Sequence, residues 1–226
     1  KKVWQFACRE EDIPNVGDYI TYDILDESII VVRTAPDQIK AFYNVCQHRG
    51  RRLTKGDGCT KTFRCRFHGW TWDINGENTF VLDPEDWGDK LTREKLRLKP
   101  VKLDTWGGWV WINMDPNCIP LKEYLEPAYS MLAPFELEKM RYRWRQWLYF
   151  PCNWKTSLEA FNESYHTDGS HPQLTKWGSP RFWCKAENNC AWHGAGEFRS
   201  TGKRFGSGLG TVRAVEGQDP RVAAYQ

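Results

Sequence analysis

The sequence predicts an α+β protein: an antiparallel β-sandwich in the first half, then the first part of an α+β domain. Three observations carry this. Short β-branched and aromatic runs separated by turn residues fill the first half, as in a small antiparallel sandwich or barrel. The character changes near Pro116 and Pro120. Beyond them, Leu121 to Leu132 has helical spacing, and Asn153 stands where an N-cap would open another helix. The division falls at about residue 115, giving domains 1–115 and 116–226. A chain of 226 residues suits one large or two small domains. It is long enough to bury a core without disulfides.

Taken in order, Ile29-Ile30-Val31-Val32-Arg33 is a β-branched strand run, and Ile39 to Val45 is a second. Thr62-Phe63-Arg64 reads as a short strand. Trp70 to Asp73 leads into Ile74-Asn75-Gly76-Glu77, and Asn-Gly is the strongest short hairpin signal. Trp106 to Asn113 reads as a strand approached over a glycine hinge. Leu121 to Leu132 is a helix interrupted at Pro127. Met140, Tyr142 and Trp144 alternate, so Met140 to Phe150 is expected as a strand. The helix opened by Asn153 is expected to run to about His166. Seven glycines between residues 194 and 217 predict loop or hairpins.

Composition narrows the classes. Aromatic residues make up 15% of the chain, which argues against global disorder. A net charge of +3 is too small to predict nucleic-acid binding. No apolar run approaches the roughly 18 residues of a membrane span, and no signal peptide is read at the start. Eight scattered cysteines then suit a reducing cytoplasm, some buried as small hydrophobes and some bound to metal.

The chemistry concentrates in two places. Cys46-Gln47-His48-Arg49-Gly50 and Cys65-Arg66-Phe67-His68-Gly69-Trp70 each offer one thiolate and one imidazole, with sixteen residues between His48 and Cys65. Two such loops can hold a two-iron cluster, both cysteines on one iron and both histidines on the other. Gly50 and Gly69 allow tight loops around a bulky group. A structural zinc site is the competing reading, but its ligands usually come as Cys-x2–4-Cys and His-x3–5-His. Four unrelated core residues are the other. The second place is Glu159, Glu163 and His166, which share one helix face at i, i+4 and i+7. Asp168-Gly169-Ser170 can break that helix and return His171 towards His166. Two such imidazoles are two-thirds of a facial triad for iron(II); the plain alternative is a helix end carrying surface histidines.

Together these residues resemble the large (alpha) subunit of Rieske-type non-haem iron oxygenases, the aromatic ring-hydroxylating dioxygenase family, over about residues 3–175. The Cys46-Gln47-His48-Arg49-Gly50 and Cys65-Arg66-Phe67-His68-Gly69-Trp70 motifs carry the likeness. Trp106-Gly107-Gly108-Trp109-Val110-Trp111-Ile112-Asn113 is similar to the closing strand of the Rieske domain. Asn153-Trp154-Lys155, Glu159, Tyr165-His166 and His171 resemble the iron-binding segment. The resemblance implies a [2Fe–2S] cluster on Cys46, His48, Cys65 and His68, and a mononuclear Fe(II) on His166 and His171 in a helix-grip-like catalytic domain. It implies that Glu163, where the family usually has Asp, bridges to a cluster histidine of a neighbouring subunit. The family's Glu-Asn pair reads Glu159-Ala160 here, so its amide is either absent or replaced by Asn162.

It further implies a cytoplasmic enzyme, a homotrimer or a trimer with a small subunit. Electrons would come from NAD(P)H through a flavin reductase, a ferredoxin or both. Dioxygen and a small organic, aromatic substrate would be consumed, with no nucleic-acid or membrane partner. The family's third iron ligand is a downstream Asp or Glu. None of Glu187, Glu197, Glu216 or Asp219 matches it in the 55 residues after His171, so a fragment is expected. His193 matches no motif and is expected in a loop. The rival functions are a Rieske-type electron carrier without oxygenase activity and a zinc-stabilised binding module.

Overall fold

The longest β-branched run of the sequence is an interior strand of the main sheet, and its burial explains the architecture around it. The computed structural model describes residues 2–144, 146, 148–159, 166, 170–171, 179–187 and 190–199. Contacts divide the chain into two compact units, Lys1–Leu121 with Glu138–Arg141, and Lys122–Leu137 with Tyr142–Gln226.

In the first unit the strands are β1 (Gln5–Arg9), β2 (Asp18–Ile24), β3 (Glu27–Ala35), β4 (Gln38–Tyr43), β5 (Asp57–Cys59), β6 (Thr62–Arg64), β7 (Thr71–Asp73), β8 (Asn78–Phe80), β9 (Pro100–Trp106) and β10 (Trp109–Asn113). Seven form one antiparallel sheet in the order β1-β10-β9-β4-β3-β2-β5, and β6-β7-β8 form a second. Successive side chains of a strand point to opposite faces. On β3, Ile30 and Val32 therefore enter one core with Phe42, Phe63, Trp72 and Leu98. Ile29 and Val31 enter another with Ile13, Ala41, Val110 and Ile112. An unbroken apolar run is the pattern of a strand buried on both faces. The small sheet closes the first core by inserting Phe63 and Trp72, and the Trp72 indole donates to the Leu96 carbonyl at 2.6 Å. Leu96 ends helix α1 (Arg93–Leu96), whose N-cap is Thr92.

The expected Asn-Gly turn is present. Gly76 follows Asn75 between β7 and β8 with φ +81°, and a Cβ there would lie 2.6 Å from the Phe42 ring. Gly107 and Gly108, at φ +65° and +78°, join β9 to β10. Two positive φ angles make the two-residue hairpin turn that matches strand twist, so this pair is a hairpin tip rather than a hinge. Buried Arg9 is satisfied by Glu11 at 2.8 Å and the Met140 carbonyl at 2.7 Å.

The second unit contains α3 (Ala128–Leu132), α4 (Trp154–Glu159) and an antiparallel hairpin of β11 (Ser179–Glu187) and β12 (Cys190–Arg199). Helix α2 (Leu121–Leu125) begins at the boundary, and the Glu126–Pro127 bond separates it from α3. Asn153 caps α4 as expected, its Oδ1 accepting from the Lys155 N–H at 3.0 Å. The described part of that helix ends at Glu159. The strand expected over Met140 to Phe150 does not form among its described residues. Alternation supplies a face but not a partner strand, and Trp144, Leu148 and Tyr149 are exposed there. Gly194 and Gly196, expected in loop or hairpins, lie on β12, as does His193, which pairs in register with Cys184 rather than standing in a loop. Glu216 and Asp219 lie outside the described residues. Among the described residues no helix is long and apolar enough to cross a membrane.

Candidate metal centres

The two Cys/His motifs form two loops with the same backbone frame. In the first, the Gly50 N–H donates to the Cys46 carbonyl at 3.0 Å and the Cys46 N–H to the Arg51 carbonyl at 2.8 Å. In the second, the Gly69 N–H donates to Cys65 at 3.0 Å and the Cys65 N–H to Trp70 at 2.8 Å. Gly50 and Gly69 turn out of these loops at φ +73° and +75°, a region that side chains with a Cβ resist. Each frame offers its cysteine at the first position; the histidine sits two residues on in one loop and three in the other.

The frames bring the donors together as two pairs. Cys46 and Cys65 are free thiols, 3% and 2% exposed. Burial pushes the Cys46 thiol up, and neighbouring Cys65 adds to this. His48 and His68 are half-buried, with ring centroids 4.7 Å apart. Burial, then the charges of His68 and Arg49, pushes the His48 imidazole down, favouring the neutral form that binds metal. Among the described residues no three of His, Cys, Asp and Glu gather tightly enough for one ion. A pair of thiols beside a pair of imidazoles suits two metal atoms better than one tetrahedral zinc. The donor set therefore fits a two-iron cluster.

Three residues beyond the motif donors shape this site. Trp70 stacks on His48 at 5.0 Å and 13°, and Trp87 meets the same ring edge-on at 5.4 Å. With Leu82, Asp83 and Asp86 they line a cavity of about 400 Å³ open to both histidines. The third is Asn44, fully buried between β4 and Cys46. A polar residue at the end of an apolar strand run was the sequence signal for it.

In the second unit, the His166 and His171 rings lie 5.4 Å apart at 75°. The Ser170 N–H donates to the His166 carbonyl at 2.7 Å, which ties the residue before His171 back to His166. The expected approach of these imidazoles is thus present, and both are half-buried. Two imidazoles so placed suit iron(II). Glu163 and Asn162 lie outside the described residues.

Comparison with known proteins gives two family matches. Residues 3–85 match the Rieske [2Fe–2S] domain, and residues 129–220 match the catalytic domain of the ring-hydroxylating alpha subunit. The carnitine monooxygenase oxygenase subunit of Escherichia coli (strain K12) is 33% identical over 174 residues, 76% of this chain and 46% of that protein. The alpha subunit of 2-aminobenzenesulfonate 2,3-dioxygenase from Alcaligenes sp. is 33% identical over 185 residues, 77% of this chain and 46% of its own length. A crystal structure of a quaternary ammonium Rieske monooxygenase with L-carnitine superposes with a TM-score of 0.73 at 26% identity, covering 86% of this chain and 56% of that one. The chain spans less than half the length of the curated relatives it matches.

Proposed function

Because this chain belongs to the large subunits of Rieske-type non-haem iron oxygenases, we propose that it is part of an oxygenase component that oxidises a small organic substrate with dioxygen. The observation that carries this is the pair of matched loops with their buried thiols and half-buried imidazoles. Cys46 and Cys65 would hold one iron of the cluster, and His48 and His68 the other. His166 and His171 would be two ligands of a mononuclear iron(II), with a third carboxylate ligand still to be assigned. When bound, these groups supply one-electron delivery and dioxygen activation.

The residues of the chain do the rest. Trp70, stacked on the His48 ring, and Trp87, edge-on to it, fix its orientation. Burial of the thiols leaves the histidine side of the site as the path for electrons. Glu163 would bridge, across a subunit contact in a trimeric ring, to His48 or His68 of the next subunit. The electron donor would be a reductase or a ferredoxin. For the substrate, the carnitine monooxygenase and the carnitine-bound quaternary ammonium monooxygenase favour a quaternary ammonium compound. An aromatic substrate is the second reading, supported by the 2-aminobenzenesulfonate dioxygenase.

The purified protein tests the proposal. It should be red-brown, contain acid-labile sulfide, and give a Rieske-type EPR signal on reduction. Iron beyond the cluster should bind nitric oxide, and His166→Ala should lose that iron alone. A colourless protein with zinc would overturn the reading. A cluster with no further iron would leave an electron carrier.

A further inference from the structure

The two ligand loops share a frame but not an anchor. The loop at Cys65 is the tip of a hairpin: Arg64 pairs with Thr71, Phe63 with Trp72 and Thr62 with Asp73, so its ends are held by a β-ladder. The loop at Cys46 has no such ladder. Strand β4 stops at Tyr43, and residues 51–55 lie in no strand; the chain rejoins the sheet only at Gly56, whose carbonyl accepts from the Thr21 N–H of β2 at 2.8 Å. Something else must hold its two ends together, since closing a loop without an anchor costs chain entropy.

We infer that Asn44 is the positioning residue of this loop, its side-chain amide taking the place of the missing ladder; this rests on the cluster reading above. Its Oδ1 accepts from the Leu53 N–H at 2.9 Å and the Thr54 N–H at 3.1 Å. Its Nδ2 donates to the Thr54 carbonyl at 2.8 Å and to Ser28 Oγ at 3.0 Å. Accepting from N–H and donating to C=O of one strand is what a backbone peptide does in a sheet. All four hydrogen-bonding positions of the amide are used, and the residue is 0% exposed. Its own N–H donates to the Ser28 carbonyl at 2.8 Å, fixing it to β3. Asn44 thus ties the segment after the loop to the strand before it, two residues from Cys46 and four from His48. An alanine would leave buried amides and a carbonyl unpaired; the remaining ties of this segment, Thr54 Oγ1 to the Tyr19 hydroxyl and Gly56 to Thr21, reach β2 and not the strand that enters the loop.

The test compares the two loops in one protein. Wild type and Asn44→Ala are purified, checked for fold by far-UV circular dichroism, and followed by hydrogen-exchange mass spectrometry. We expect exchange over residues 51–56 to rise about tenfold or more in Asn44→Ala while residues 69–73 stay protected. Cluster loss to a chelator should quicken by about tenfold, and the g-values of the remaining reduced cluster should shift. Equal acceleration in both loops with unchanged g-values would make Asn44 an ordinary stabilising residue and overturn the inference, as would no change. If Asn44→Ala does not fold, Asn44→Ser, too short to reach Leu53 and Thr54, is judged by the same outcomes. Ser28→Ala, which leaves every bond from Asn44 to the loop, should keep residues 51–56 protected. Absence of any cluster in the wild type would instead refute the metal reading, and the exchange comparison would still judge the clamp.

Discussion

The loops at Cys46 and Cys65 reach the same geometry by different means. Both close with a glycine N–H on the cysteine carbonyl and both end in a positive-φ glycine. One is a hairpin tip whose position follows from strand pairing. The other leaves the sheet after Tyr43, and its two ends are joined to each other by the buried Asn44 amide. A cluster needs both halves at once, so the structure specifies two unlike supports to a common accuracy. The difference teaches where each half is vulnerable: the second to damage in its sheet and core, the first to damage in a single side chain.

Removal of donors should erase the difference. Cys46→Ala and Cys65→Ala should each abolish the cluster, read as loss of visible absorbance and acid-labile sulfide. Retention of the full cluster in either would show that the pairing of thiols is wrong. Next comes the core beneath the second loop. Trp72 is fully buried and its pairing partner is Phe63, so Trp72→Ala should cost about 3–5 kcal/mol. Urea unfolding checks the loss, and exchange should loosen residues 62–73 before residues 51–56.

The two glycines give a finer contrast. Gly50→Ala should cost only the strain of a positive φ, about 1–2 kcal/mol, because a Cβ there meets nothing within 4 Å. Gly69→Ala adds displacement of the Arg64 guanidinium, 3.3 Å from the new Cβ. Thermal unfolding should rank Gly69→Ala below Gly50→Ala, and the reverse order would contradict the packing at Gly69.

The smallest effect is electrostatic and lies on the hairpin side. The Arg93 hydrogen bond, then the Arg97 and Arg93 charges, hold the Glu77 carboxyl below its ordinary value of 4.5. Its folded value being the lower one, its contribution is complete above pH 4.5 and is lost as pH falls through that lower value. Because Arg93 is exposed and Glu77 is half-buried at the surface, the pair is screened by water, and Glu77→Gln should lower the melting temperature slightly at pH 7 and not at all at strongly acidic pH. An equal drop at both would rule out the charge as cause.

Much of this was legible in the sequence because it is local. The Cys/His spacing, Gly50, Gly69 and Asn75-Gly76 are each determined by a few neighbouring residues, and the structure has them as expected. The β-branched run of β3 announced a strand, but that its two faces serve two cores depends on Phe63, Trp72, Val110 and Ile112 far along the chain. Asn44 escaped notice for the same reason: its partners are Ser28, Leu53 and Thr54. Met140 to Phe150 shows the limit of periodicity, since alternation cannot create the strand against which it would pair.

The central claim is that the two loops jointly hold two irons, with both imidazoles on one of them. Pulsed EPR on reduced protein grown with ¹⁵N-histidine tests it most directly. The account predicts two distinct histidine nitrogen couplings to the reduced iron, both retained in His166→Ala and altered in His48→Ala. A reduced cluster without histidine nitrogen couplings, or protein binding one zinc per chain with no EPR signal, would contradict it.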